Sequence, residues 1–147
     1  MFKHILAPVS GDDLTKLELK KIIRLAKIDG AKITLVYVSD PLGPYMYSDM
    51  VNEVVISEKA HQKACNDFAK HLFTKSKALI PEDLEVGSIH VFHPNIADGV
   101  IDAAEQVKAD VIMMASHKRK GIKGFFLRGE AHEVILHSKI PVLILNA

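Results

Sequence analysis

The sequence predicts an α/β fold in which a parallel β-sheet carries helices on its faces. Two observations point there. Short apolar runs at Ile5–Val9, Lys32–Val38, Leu84–Phe92, Asp110–Ala115 and Ile140–Leu145 read as strands. Between the first four of them lie longer stretches with apolar residues at helical spacing, and a shorter one precedes the last. Parallel neighbours need such crossover connections, and right-handed crossovers leave few topologies.

The elements follow in order. Ile5–Val9 stops at Ser10-Gly11-Asp12-Asp13, a strand running into a turn whose aspartates can cap the next helix. In that helix Leu14, Leu17, Ile22, Leu25 and Ile28 form the expected inner stripe, with Lys20, Arg24 and Lys27 on a solvated face. Asp29-Gly30 ends it, and KITLVYV forms the second strand. Pro41, Gly43 and Pro44 mark a loop bearing Tyr45 and Tyr47. From about Met50 to Leu79 the pattern is helical, with Val51, Val54, His61, Cys65, Phe68, Leu72 and Leu79 expected inside. Cys65 reads as a small core residue.

Leu84–Phe92 is the third strand. His93-Pro94-Asn95 leads into a helix over 96–107, with Asn95 as N-cap and Ile96, Val100, Ala103, Ala104 and Val107 inward. The uniformly apolar Asp110–Ala115 is the pattern of a strand covered on both faces. Ser116 to Gly129 is a loop rich in Lys, Arg and Gly, Glu130–His137 a short helix, and Ile140–Leu145 the last strand. No internal repeat or linker interrupts the series, so residues 1–147 read as a single domain.

Composition narrows the function classes. The chain has 147 residues, with 19 Lys+Arg against 18 Asp+Glu and a net charge of +1. That balance argues against a dedicated nucleic-acid binder, whose affinity rests on neutralising phosphates. With 48% hydrophobic residues it can bury a core. One cysteine excludes a disulfide framework and a cysteine-based zinc site. No apolar run approaches the roughly 20 residues that span a bilayer, and the opening residues lack a signal-peptide pattern. The expectation is a cytoplasmic domain with neither a membrane nor a nucleic-acid partner.

In open parallel sheets, ligands bind beyond the carboxyl ends of strands where the strand order reverses. The candidate lips are 9–13, 38–47 and 116–129. The last holds Gly121, Gly124 and Gly129 among Lys118, Arg119, Lys120, Lys123 and Arg128, between a strand and a helix. Such a turn suits an anion, because glycines let backbone amides approach it. A mobile cationic surface loop is an equal reading. No G-x-x-x-x-G-K-[ST] motif occurs.

The whole chain resembles the universal stress protein family. The resemblance rests on KHILAPVSGDD, KITLVYV, HPNIADGVIDAAEQVKADVIMMASHKRKG and VILHSKIPVLI. It implies a five-stranded parallel sheet in the order 3-2-1-4-5, flanked by helices in a Rossmann-like arrangement, and a homodimer formed through the C-terminal strand. Many members bind ATP and others have lost it. The binders carry G-x-x-G, nine residues, then G-S/T; aligned without gaps, this falls on Ala115, Lys118 and Arg128-Gly129. The three signature glycines are thus replaced, and the acidic residue expected after the first strand falls on Ser10. Long side chains at Lys118 and Arg128 obstruct the place where backbone meets phosphate. Their charges can also stand in for amide donors, and a one-residue shift puts Gly129 in the third glycine's role. The candidate degenerate nucleotide or anion crevice is therefore Pro8, Val9, Ser10, Val38, Ala115, His117, Lys118, Gly121, Arg128 and Gly129.

Other chemistry is weaker. His90 with His93, and His132 with His137, lack the spacing of a metal pair. Ser116-His117 has no evident orienting carboxylate, so no catalytic residues are assigned. Ser10-Gly11-Asp12-Asp13 faintly resembles the pyrophosphate loop S-G-G-x-D-S of adenylating enzymes, but Asp12 replaces its second glycine and its Asp falls on Leu14. The expected function is a dimeric stress-response or signalling module, not an enzyme, with an unnamed protein partner and no cofactor. The alternative is a switch that binds ATP or another adenine nucleotide and hydrolyses it slowly.

Overall fold

The structure, a computed structural model, describes residues 1–9, 16–41, 58–115 and 129–145. Its elements alternate along the chain: β1 (His4–Pro8), α1 (Lys16–Asp29), β2 (Lys32–Ser39), α2 (Glu58–Lys77), β3 (Val86–Phe92), α3 (Ile96–Val107), β4 (Val111–Ala115), α4 (Glu130–His137) and β5 (Val142–Leu145). The strands form one sheet in the order β3-β2-β1-β4-β5. Every neighbouring pair is parallel, in registers such as Ile5↔Ile33, Leu6↔Ile112, Tyr37↔His90 and Met113↔Leu143.

Alternation along each strand divides the interior in two. Ile5, Ala7, Ile33, Leu35 and Met113 point to one face, where Leu19 and Ile22 of α1 and Phe73 of α2 cover them. Leu6, Val36, Ile112 and Met114 point to the other, beneath Val100 and Ala103 of α3 and Val134 of α4. With both faces covered, the central residues Ile5, Leu6 and Ala7 lose all solvent contact.

Local chemistry sets the boundaries. Gly30 takes a positive φ of 63°, and the chain folds back so that Ala31 N–H reaches Ala26 O at 2.8 Å. Asn95 caps α3 as expected, its Oδ1 accepting from Asp98 N at 3.0 Å. At the other end Lys108 adopts the left-handed conformation usually left to glycine. Asp110 opens the turn into β4 and accepts from the Lys3 and His4 amides at 2.8 and 3.1 Å, pinning the start of β1 to β4.

Several sequence expectations are corrected. β1 is His4–Pro8, not 5–9, and β3, β4 and β5 begin one to two residues late. At β5 the cause is Pro141, which accepts from Ile112 N but has no N–H to donate. α1 buries Glu18, Leu19, Ile22 and Ala26, while Leu17 and Ile28 face solvent, Ile28 being 74% exposed. Apolar residues occupy so much of that helix's circumference that spacing alone does not choose the inner face. α2 buries Ala69, Leu72 and Phe73; Phe68 and Leu79 are exposed, and Cys65 is half-buried instead of core. In α3, Ala97 takes the inner place expected of Ile96.

Candidate functional site

The carboxyl ends of β1, β2 and β4 and the start of α4 bring five of the expected crevice residues to one end of the sheet. Pro8 closes β1 opposite Val36, and Val9 N–H donates to Val36 O at 2.8 Å. Val9 and Val38 are buried, whereas Pro8 and Ala115 are half-exposed. Val38 is wedged under the first turn of α3: a β-carbon on Gly99 would stand 2.7 Å from its Cγ1 and 3.1 Å from His93 Cβ. Ala115 ends β4 beside Leu145. Gly129 is the N-cap of α4, extended at φ −125° and ψ −167°, with no side-chain cap hydrogen bond. Ser10, Asp12, Asp13, Leu14, Tyr45, Tyr47, Val51, Val54, His117, Lys118, Gly121, Gly124 and Arg128 lie outside the described residues.

The described charges in the first turn of α4 are negative. Glu130 and Glu133 occupy its first turn, and Glu133 is shared with His137 through a 3.3 Å ion pair along the helix. Carboxylates there complement the helix dipole and compete with any anion for it.

A polar network missed by sequence reasoning lies on the α2 side of the same sheet end. Ser39, buried at the end of β2, contacts His90 Nε2 at 2.7 Å, and His90 Nδ1 meets Asn66 Oδ1 at 2.8 Å. Tyr37 stacks on His90 with ring centres 5.6 Å apart, and Phe92 lies 4.5 Å away. Burial pushes the His90 imidazole below its ordinary range and the Tyr37 hydroxyl above its own. On α2, His61 Nε2 donates to Asp40 O at 2.7 Å and lies 3.5 Å from Cys65 Sγ. The visible signal was the parallel alternation of Tyr37 with Ser39 and of His90 with Phe92; their register was not.

Among the described residues no group of three or more His, Cys, Asp or Glu converges as for a metal. A shallow groove lined by Ile101, Ala104, Lys108, Lys139 and Ile140 lies at the opposite end of the sheet from Val9, Val38 and Ala115.

The sequence profile of the Universal stress protein family matches residues 1–146. The chain belongs to the universal stress protein family. A universal stress protein of Methanocaldococcus jannaschii is 23% identical over 99% of this chain and 83% of its own length. The Bacillus subtilis stress response protein NhaX is 24% identical over 97% of each chain. Among solved structures, the protein MJ0577 superposes with a TM-score of 0.78 at 22% identity, over 100% of this chain and 97% of its own. The Archaeoglobus fulgidus universal stress protein in complex with dAMP superposes with a TM-score of 0.63 at 18% identity, over 97% of this chain and 96% of its own. These likenesses establish the universal stress protein fold, with its 3-2-1-4-5 sheet order.

Proposed function

We propose that this chain is a dimeric stress-response or signalling module of the cytoplasm that does not bind ATP tightly and is not a conventional enzyme. The observation that carries the reading is the start of α4. Gly129 holds the N-cap that the ATP signature gives to Ser or Thr, and so offers no hydroxyl. Glu130 and Glu133 follow where a phosphate would approach. Ala115, Lys118 and Arg128 stand at the three signature glycines. In the crevice we place Pro8, Val9, Ser10, Val38, His117 and Gly121 beside them.

A second reading is an adenine-nucleotide switch with slow ATPase activity. It is favoured by two structural relatives of this fold, universal stress proteins solved in complex with cAMP and with dAMP. Mass spectrometry of small molecules released from denatured, purified protein separates the two. The first reading expects no stoichiometric nucleotide and little or no ATP binding by calorimetry; tight ATP binding would overturn it. The combined variant Ser10→Asp, Lys118→Gly, Arg128→Gly, Gly129→Ser restores the acidic acceptor, two glycines and the hydroxyl, and is expected to gain measurable affinity.

The dimer reading rests on β5. It is the sheet edge, four residues long, with Leu143 37% exposed between Val142 and Ile144. An apolar edge pairs readily with a second copy about a two-fold axis. The protein partner that a signalling module addresses would be sought with the dimer as bait. One unpaired cysteine suits a reducing compartment. No described helix is long and apolar enough to cross a membrane.

A further inference from the structure

We propose that His90 is the titrating element of a latch that holds the first half of α2 on the sheet at neutral pH and releases it on acidification. The packing of α2 is uneven. Its buried side chains, Ala69, Leu72 and Phe73, all lie in the second half. Among residues 58–68 none is buried, and that half is tied to the sheet by two hydrogen bonds, Asn66 to His90 and His61 to the Asp40 carbonyl, and at its end by Phe68, 44% exposed, which stands edge-on to Tyr37 with ring centres 5.4 Å apart. A helix half held in this way opens at lower free energy than one anchored in a core.

The chemistry of the network gives the latch its direction. With Asn66 Oδ1 as acceptor, Nδ1 of the neutral ring carries the hydrogen and Nε2 accepts from the Ser39 hydroxyl. A second proton must go to Nε2, so the Ser39 hydroxyl has to turn its hydrogen away and accept instead. The imidazolium then sits between Tyr37 and Phe92, beside a serine that is only 4% exposed. The titratable groups facing this space are Tyr37 from β2, with Cys65 and His61 from α2. Lys77 reaches the same face of β3, donating to Ser88 at 2.9 Å. None of the described groups supplies a negative charge that lifts the His90 proton affinity; desolvation alone shifts it, downward. Stacking on Tyr37 offsets only part of that cost. Outward movement of Asn66 and the first half of α2 rehydrates the ring, and the open form therefore binds the proton more tightly.

A hydroxyl, an imidazole and a third polar group in this order resemble the triad that activates serines for acyl transfer, but the amide of Asn66 stands where such a triad has a carboxylate. Ser39 is closed off inside the sheet, which leaves the chain of bonds a structural role.

The test uses the full chain. Imidazole NMR of the unmodified protein is expected to show His90 titrating below an ordinary histidine, with the Asn66 side-chain amide shifting at the same midpoint. Hydrogen exchange, corrected for intrinsic rates, is expected to show protection over 58–66 falling roughly tenfold between about pH 7.5 and about pH 5, and falling less over 69–77. His90→Gln keeps a side chain able to bridge Ser39 and Asn66 but cannot titrate, so its 58–66 protection should not respond to pH. Asn66→Asp places a carboxylate on the charged ring. It should raise the His90 midpoint and keep the helix protected in acid. Uniform protection across α2 at both pH values, or an acid response that survives in His90→Gln, overturns the latch.

Discussion

Gly99 of α3 sits so close to Val38 of β2 that only hydrogen fits between them. A β-carbon there would stand 2.7 Å from Val38 Cγ1, and valine is stiff about its χ1 bond. Gly99→Ala gains about 1 kcal/mol in helix propensity but overpacks a tight contact at about 1–3 kcal/mol. The backbone-linked His93 Cβ blocks retreat on the other side. We expect a net loss of about 1 kcal/mol in urea unfolding, largely recovered when Val38→Ala is added.

Gly129 presents the opposite case. Its φ of −125° suits any residue, and a β-carbon there would meet nothing within 4 Å. Gly129→Ser supplies the missing cap oxygen and restricts the unfolded chain. Together these are expected to stabilise the fold by about 0.5–1 kcal/mol. The denaturant midpoint should rise with its slope unchanged.

His4 makes part of the stability depend on pH at the far end of the sheet. Its Nε2 meets Thr34 Oγ1 at 2.6 Å. Desolvation, then Lys32, holds the imidazole below its unfolded value of 6.5. Between the two values the unfolded chain binds more protons, so the contribution is complete above about pH 6.5 and is lost as pH falls through the folded value. The urea midpoint should therefore drop on acidification through this window, and His4→Gln should flatten that drop. An unchanged slope in the variant would remove His4 from the account.

Leu143 tests the edge-to-edge assembly without disturbing the core, since it is already 37% exposed in the single chain. Leu143→Lys is expected to convert a dimer into a 16.3 kDa monomer of unchanged circular dichroism, measured by light scattering after gel filtration. A parent protein that is monomeric at tens of micromolar, on the order of the concentration for a stable interface, speaks against the dimer.

Much of this architecture was legible in the sequence because its signals are local. The bounds of α3 could be read from Asn95 and the apolar residues that follow, and the cap proved to be the one expected. The inner face of α1 could not be read, since Leu17 and Ile28 fit a helical stripe as well as Leu19 does. Nothing local marks Glu18 as buried or Lys108 as left-handed. Pro8, Val9, Val38, Ala115 and Gly129 could be placed at one end of the sheet because strand ends are visible as punctuation. The Ser39–His90–Asn66 network could not, because it joins three elements whose register only the folded sheet defines.

The pairing of β1 also shapes how the protein is made. One flank of the strand meets β2 early in the chain, but the other waits for Val111 and Ile112, and its amides wait for Asp110. The intervening stretch of roughly 100 residues takes about 5–20 s to synthesise at common ribosomal rates. Throughout that interval the central strand of the finished sheet has a bare hydrogen-bonding margin on the nascent chain. Chaperone capture, or pairing with a neighbouring nascent chain, would therefore be concentrated before β4 emerges to close it.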